Sequence, residues 1–150
     1  DITYIPMKKG FMYLTAIIDL YSRYVVAWNI SNTLEAECCL NVLKNAILLY
    51  GKPEIVNSDQ GSQFTCELWT SYLEKQGIKI SMDGKGRALD NIFIERLWRS
   101  VKYDYVYLNP ANDGNELYHG LRKYFDYYNH HQAHQGIDRR IPLDLFKPAA

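Results

Sequence analysis

The chain predicts an α/β fold with a mixed sheet, and three observations carry that expectation. Three strand-like segments come first, joined by short turns, the order of an antiparallel meander. Helical and strand periodicities then alternate as helix, strand, helix, strand, before further helices close the chain. At 150 residues, 47% hydrophobic and 23% charged, the chain is long enough for one domain with a real core, and its composition is globular. This order alone leaves several topologies open.

The elements follow in sequence. Residues 2–6 and 11–19 are strands around Lys8-Lys9-Gly10, a hairpin turn where glycine supplies positive φ. A third strand, Tyr24–Ile30, follows a turn at Leu20–Arg23. Thr33 caps the next helix, with Glu35 and Glu37 against the positive end of its dipole. Ala36, Cys39, Leu40, Leu43, Ala46, Ile47 and Tyr50 recur there at helical spacing, and Gly51 and Pro53 end it. Then come a strand at 54–58, a helix over 66–76 capped by Thr65 and stopped by Gly77, and a short strand at 78–81. A loop rich in glycine and charge, Met82–Leu89, leads into an amphipathic helix. Asp113 and Glu116 form a capping box for the last helix, which buries Leu117, Leu121, Tyr124 and Tyr128. No repeat, low-complexity tract or interdomain linker interrupts this order, so residues 1–150 form one domain.

Charge and cysteine content narrow the function classes. Seventeen basic and 17 acidic residues cancel, which argues against a free-standing, high-affinity DNA-binding domain. It leaves room for a catalytic core whose affinity comes from other modules. Cys38, Cys39 and Cys66 make an odd count without metal spacing, so reduced thiols in a cytoplasmic protein are expected. Adjacent positions on a helix also prevent Cys38 and Cys39 from both joining the core.

The informative stretch runs from Asn57 to Lys102. A short apolar strand empties into Asp59 and a glycine turn, Asn57-Ser58-Asp59-Gln60-Gly61. At about 100° per residue, Asn91, Glu95, Arg99 and Lys102 share one narrow helix face, while Ile94, Leu97, Trp98, Val101 and Tyr105 gather on another. A carboxylate at a strand end and another on a helix, with cations one and two turns on, suits a hard oxygen-seeking cation beside a phosphate. Taken singly, Asp59 could cap its turn, and Glu95 could pair with Arg99 at i+4.

Asp59 and Glu95 stand 35 residues apart, counting those between them. With Asp1 in Asp-Ile-Thr-Tyr-Ile, they resemble the Asp, Asp, Glu triad of retroviral integrases and insertion-sequence transposases. Further matching stretches are Ile17-Ile18-Asp19-Leu20-Tyr21-Ser22-Arg23, Gly84-Lys85-Gly86, Tyr128-Asn129 and Pro142-Leu143-Asp144-Leu145-Phe146. The chain looks closest to bacterial insertion-sequence transposases with an integrase-like core. The resemblance implies a ribonuclease H-like fold, five strands in a mixed sheet with helices on both faces. It also implies metal-dependent DNA cleavage and strand transfer at mobile-element ends, with Asp1, Asp59 and Glu95 holding two Mg²⁺ or Mn²⁺ ions. Water would be the nucleophile in nicking and a DNA 3′-hydroxyl in joining.

Arg99, Lys102, Lys85 and Arg87 are the candidate DNA contacts, and Asn91 matches the family's Asp-Asn pair as a supporting residue. Asp19 is the rival for the third carboxylate, since a hairpin centred on Lys9 brings it back near Asp1. Strand alternation turns it away if Asp1 pairs near Ile18. His130, His131 and His134 lack companions with zinc spacing and are expected at the surface or facing DNA. The family usually carries arginine two residues before the histidine matching His134, where this chain has Gln132. The expected partners are DNA and a second copy of the chain, in the bacterial cytoplasm at the nucleoid. The chain begins on a candidate catalytic residue, which suggests a core cut inside its first strand, with DNA-binding modules upstream. Two other functions stay open: a ribonuclease H-like nuclease without strand transfer, and an inactive remnant that only binds DNA.

Overall fold

Alternating burial in the first eighteen residues builds a hairpin. In the computed structural model, which describes residues 1–83 and 91–149, β1 (Ile2–Pro6) and β2 (Phe11–Ile18) pair antiparallel, Ile2 opposite Thr15 and Pro6 opposite Phe11. The Met7 N–H donates to the Gly10 carbonyl at 3.0 Å, and Gly10 takes the positive φ of 72° that the turn requires. This register sets Asp1 opposite Ala16, each backbone N–H bonding the other's carbonyl at 3.1 Å. The expected partner was Ile18. The loop spans Met7 to Gly10, so its centre lies earlier than Lys9. A two-residue shift preserves the face, so the alternation that separates Asp1 from Asp19 still applies. β3 (Val25–Ser31) pairs with β2 beyond an irregularity at Ile17/Ile18.

Each face of this sheet carries its own core. Ile5, Leu14, Ala16 and Val25 pack under α4 (Ile92–Val101) and α5 (Gly114–His130), against Leu97, Trp98, Val101, Leu121 and Phe125. Ile2 and Ile17 on the other face meet Cys39, Leu40 and Leu43 of α1 (Ala36–Tyr50) and Leu73 of α3 (Glu67–Lys75). Cys39 is buried and Cys38 half-exposed, and all three thiols are free. β4 (Ile55–Ser58) and β5 (Lys79–Met82) pair in parallel beside α1 and α3.

Five strands and helices on both faces agree with expectation, but the hydrogen bonding divides the strands. β1-β2-β3 form one antiparallel sheet and β4-β5 a separate parallel pair, so the described residues do not make one five-stranded mixed sheet. A cavity of about 820 Å³, bordered by Asp1, Ile17, Val56, Asn57 and Ile94, lies between the end of β2, β4 and the start of α4. The four-residue strands β4 and β5 are held by the helices beside them rather than by β1.

Local chemistry also corrects three expected caps. Glu35, not Thr33, is the N-cap of α1 and makes no side-chain cap bond. The Thr33 hydroxyl is bonded to Ser31 Oγ at 3.2 Å, a local bond that competes with capping. Thr65 ends a one-turn helix, α2 (Ser62–Thr65), by donating to the Gly61 carbonyl, and α3 starts after Cys66. Asp113 accepts from the Glu116 N–H at 2.8 Å, but Glu116 is held by the Asn112 amide, so half of the capping box forms.

The Glu95 helix does not stay α-helical through Tyr105. Lys102–Val106 form a π turn, which widens the helix and breaks the 100° phase at Lys102. The Tyr105 ring lies directly against Gly120 of α5, at a position where no side chain fits. The chain closes with α6 (Pro142–Leu145). Among the described residues no helix is long and apolar enough to cross a membrane.

Candidate active site

Asp1 precedes β1, on the strand face that meets α4. The Trp98 indole N–H donates to its Oδ2 at 3.0 Å. Two residues along β1, Thr3 Oγ1 accepts from the Lys102 ammonium at 2.7 Å. Strand positions i and i+2 are about 7 Å apart and helix positions i and i+4 about 6 Å, so the two bonds lie side by side as parallel cross-links. Burial lowers the pKa of the Lys102 ammonium below its ordinary value.

Asp59 follows β4, and its Oδ1 accepts from the Gly61 N–H at 2.9 Å, closing an Asx-type turn. A Cβ at position 61 would sit 2.9 Å from that same oxygen and push the carboxylate aside. Asp1 Oδ1 and Asp59 Oδ2 accept no hydrogen bond from the described residues. Both carboxylates border one cleft of about 270 Å³, with Thr3, Tyr4, Tyr13 and Leu34 on its other walls. Each thus has one oxygen positioned by the protein and one without a hydrogen bond from the described residues, and two hard oxygen donors beside a cleft match what Mg²⁺ or Mn²⁺ takes.

Glu95 is exposed in the first turn of α4. Arg99 directs its guanidinium to the Tyr103 ring, 5.9 Å from the centroid, and among the described residues no Arg or Lys side-chain nitrogen lies within 4.0 Å of a carboxylate oxygen, so the i+4 pair with Glu95 is not made. Among those residues no three His, Cys, Asp or Glu side chains are gathered closely enough to hold a metal ion. Asp83 is a carboxylate the sequence reading passed over. It follows β5 as Asp59 follows β4, and Ser58 pairs with Met82, so the two strand ends present neighbouring acids. Asn57 donates to Asp83 Oδ1 at 3.1 Å, while Oδ2 is buried without a partner among the described residues.

The integrase core domain family matches this chain twice, over residues 1–88 and over residues 76–142. The chain belongs to that family. It is 33% identical to the transposase for insertion sequence element IS904 of Lactococcus lactis, over 98% of this chain and 59% of the relative. It is 30% identical to the putative transposase InsK for insertion sequence element IS150 of Escherichia coli, over 97% of this chain and 49% of the relative. The chain thus spans about half the length of these relatives. Among solved structures, the HTLV-2 integrase catalytic core domain in complex with magnesium, in a dimeric form, superposes with a TM-score of 0.75 at 19% identity, covering 97% of this chain and 91% of that one. A simian T-cell lymphotropic virus intasome gives 0.82 at 19% identity, covering all of this chain and 56% of its own. The fold is that of retroviral integrase catalytic cores, which is ribonuclease H-like.

Within this integrase core the remaining candidates are dispersed. Asn91 stands at the start of α4 without a side-chain cap bond and borders the larger cavity. Lys85 and Arg87 lie outside the described residues. Asp19 accepts from the Ser22 N–H and hydroxyl, closing the β2–β3 turn. Arg23, at φ 65°, lays its guanidinium 3.7 Å above the Phe93 ring and ties that turn to α4. The three histidines have separate surroundings. His130 meets Asp126 at 2.9 Å, and His131 is exposed. His134 packs on the Tyr128 ring and bonds its carbonyl at 3.2 Å, and burial lowers its pKa.

Proposed function

We propose that this chain is the catalytic core of a bacterial insertion-sequence transposase, acting in the cytoplasm on the ends of a mobile element. One observation carries the reading. Two strand-end carboxylates, Asp1 and Asp59, each held through one oxygen, open into one cleft of an integrase core. Asp1, Asp59 and Glu95 are the residues that would hold two Mg²⁺ or Mn²⁺ ions. When bound, such ions supply positive charge at the attacking and leaving oxygens of an in-line phosphoryl displacement.

The chain's own residues provide placement. Trp98 and the Gly61 N–H orient the two aspartates, and Arg99, Lys102, Lys85 and Arg87 attract phosphate. Element ends are recognised by DNA-binding modules of the whole protein, so the core alone binds DNA weakly and with strong salt dependence. Coordinated treatment of two ends calls for a two-fold pair of cores, for which the exposed Leu48 and Leu49 of α1 are a candidate surface.

Glu95→Gln tests the reading, because it keeps shape and helix propensity while removing charge. In the full-length protein it is expected to abolish nicking of element-end DNA and joining of pre-nicked ends, with an unchanged Tm. Undiminished activity at wild-type Tm would remove Glu95 from the site. Nicking without joining by the wild type would favour a simple nuclease.

A further inference from the structure

The cleft that holds Asp1 and Asp59 has a second wall that the carboxylate chemistry does not use. Tyr4 and Tyr13 face each other across β1 and β2 and border the same cleft. Tyr4 is 60% exposed and Phe11 51%, and the rings meet edge to face, Tyr4–Phe11 at 5.9 Å and Phe11–Tyr13 at 5.3 Å. A strand surface that keeps three aromatic rings at its open end forgoes the burial that normally stabilises such residues. Asp1 and Asp59 carry the acidic side of the cleft, and cations stand on the side of the rings. Lys102 holds its ammonium 5.1 Å from the Tyr4 centroid, the hairpin turn carries Lys8 and Lys9, and residues 2–18 contain no Asp or Glu.

Exposed aromatic faces with a cation beside them are the chemistry that holds unpaired nucleobases along a phosphate backbone. The cleft, at about 270 Å³, is large enough to take a nucleobase. Tyr4 lies three residues from Asp1, about 10 Å along an extended strand, roughly one nucleotide's reach. We propose that Tyr4, flanked by Tyr13, stacks an unpaired base of single-stranded DNA next to the phosphate that Asp1 and Asp59 address. The inference rests on the DNA-processing reading of that site and adds to it the state of the substrate, locally melted rather than fully paired. The energy of stacking on Tyr4 would offset the loss of pairing at the end of the duplex.

The test is binding, which does not depend on activity. Fluorescence anisotropy with a short single-stranded oligonucleotide and a blunt duplex of the same length, in chelator, is measured on the wild type, Tyr4→Ala and Tyr4→Phe. Tyr4→Ala is expected to weaken single-strand binding about tenfold and duplex binding less than about twofold, with Tyr4→Phe close to wild type. Equal losses on both DNAs, or none, would overturn the proposal, as would a change of sedimentation coefficient in Tyr4→Ala that marks this face as a contact between copies. Phe11→Ala, at the rim, is a second variant should Tyr4→Ala unfold, with a smaller loss of the same kind. Selective single-strand binding by a protein that cuts no DNA would leave this inference standing while the transposase reading fell.

Discussion

The two sides of the candidate site are built differently. Asp1 stands on a hairpin tied to α4 by the Trp98–Asp1 and Lys102–Thr3 bonds and backed by the larger buried cluster. Asp59 stands at the end of a four-residue strand that pairs, among the described residues, with another of four residues. The first side is preorganised by its own packing. The second has its local turn set by Gly61 and rests on one short parallel ladder. A ligand that bridges both sides would add a contact between them and stabilise the second more than the first.

Core truncations break this comparison most directly. Leu97→Ala, at a fully buried position of the first side, should cost about 3 kcal/mol in denaturant unfolding. Ile80→Ala, half-buried beside β4, should cost about 1 kcal/mol. Equal costs would mean that the second side is packed as firmly as the first. Mg²⁺ sharpens it next. At about a hundredfold over its dissociation constant, the ion should stabilise the protein by about 2.7 kcal/mol. The added hydrogen-exchange protection should be greater in residues 55–58 and 79–82 than in β2, and Asp59→Asn should remove it.

Gly61→Ala separates geometry from stability. A new Cβ would crowd the Asp59 oxygen, and a flexible carboxylate yields more easily than backbone. The expected result is a Tm within a few degrees of wild type, with DNA cleavage down about tenfold or more. Trp98→Phe keeps the ring packed and deletes one hydrogen bond, for a loss of about 1 kcal/mol. The smallest effect is His134's. Burial holds its folded pKa below the ordinary 6.5, so the unfolded chain binds more protons as pH falls through 6.5 toward the folded value. Stability should therefore drop on acidification in that window and be regained as pH rises. His134→Asn should flatten that slope in urea melts.

The first side was also the more legible in the sequence. The turn at Lys8-Lys9-Gly10 between two apolar segments and the stripe of Ile94, Leu97, Trp98 and Val101 are strong local signals, and both elements appear where expected. What sequence missed lies where two elements compete for one group. Ser31 takes the Thr33 hydroxyl from its cap, and the π turn draws Lys102 to Thr3, away from the Arg99 direction. Neither the Trp98–Asp1 bond nor the neighbouring strand-end acids Asp59 and Asp83 have a local pattern, since the first joins residues 97 apart and the second depends on parallel register. The separation of the two sheet pieces has no sequence signal either, because four-residue strands look the same whether or not a third strand joins them.

The π turn at Lys102–Val106 has a further consequence for how the chain can vary. A π turn holds one more residue than the α-helical turn it replaces, so it works as a phase shifter between the Glu95 helix and everything that follows. Removing a single residue there would restore an ordinary helix and rotate its far end by about 100°. Tyr105 would swing away from its seat against Gly120, and the Lys102 ammonium would leave Thr3. Substitutions within the turn are absorbed one contact at a time, but a one-residue deletion changes every contact downstream at once. Length, more than identity, is what this segment has to preserve.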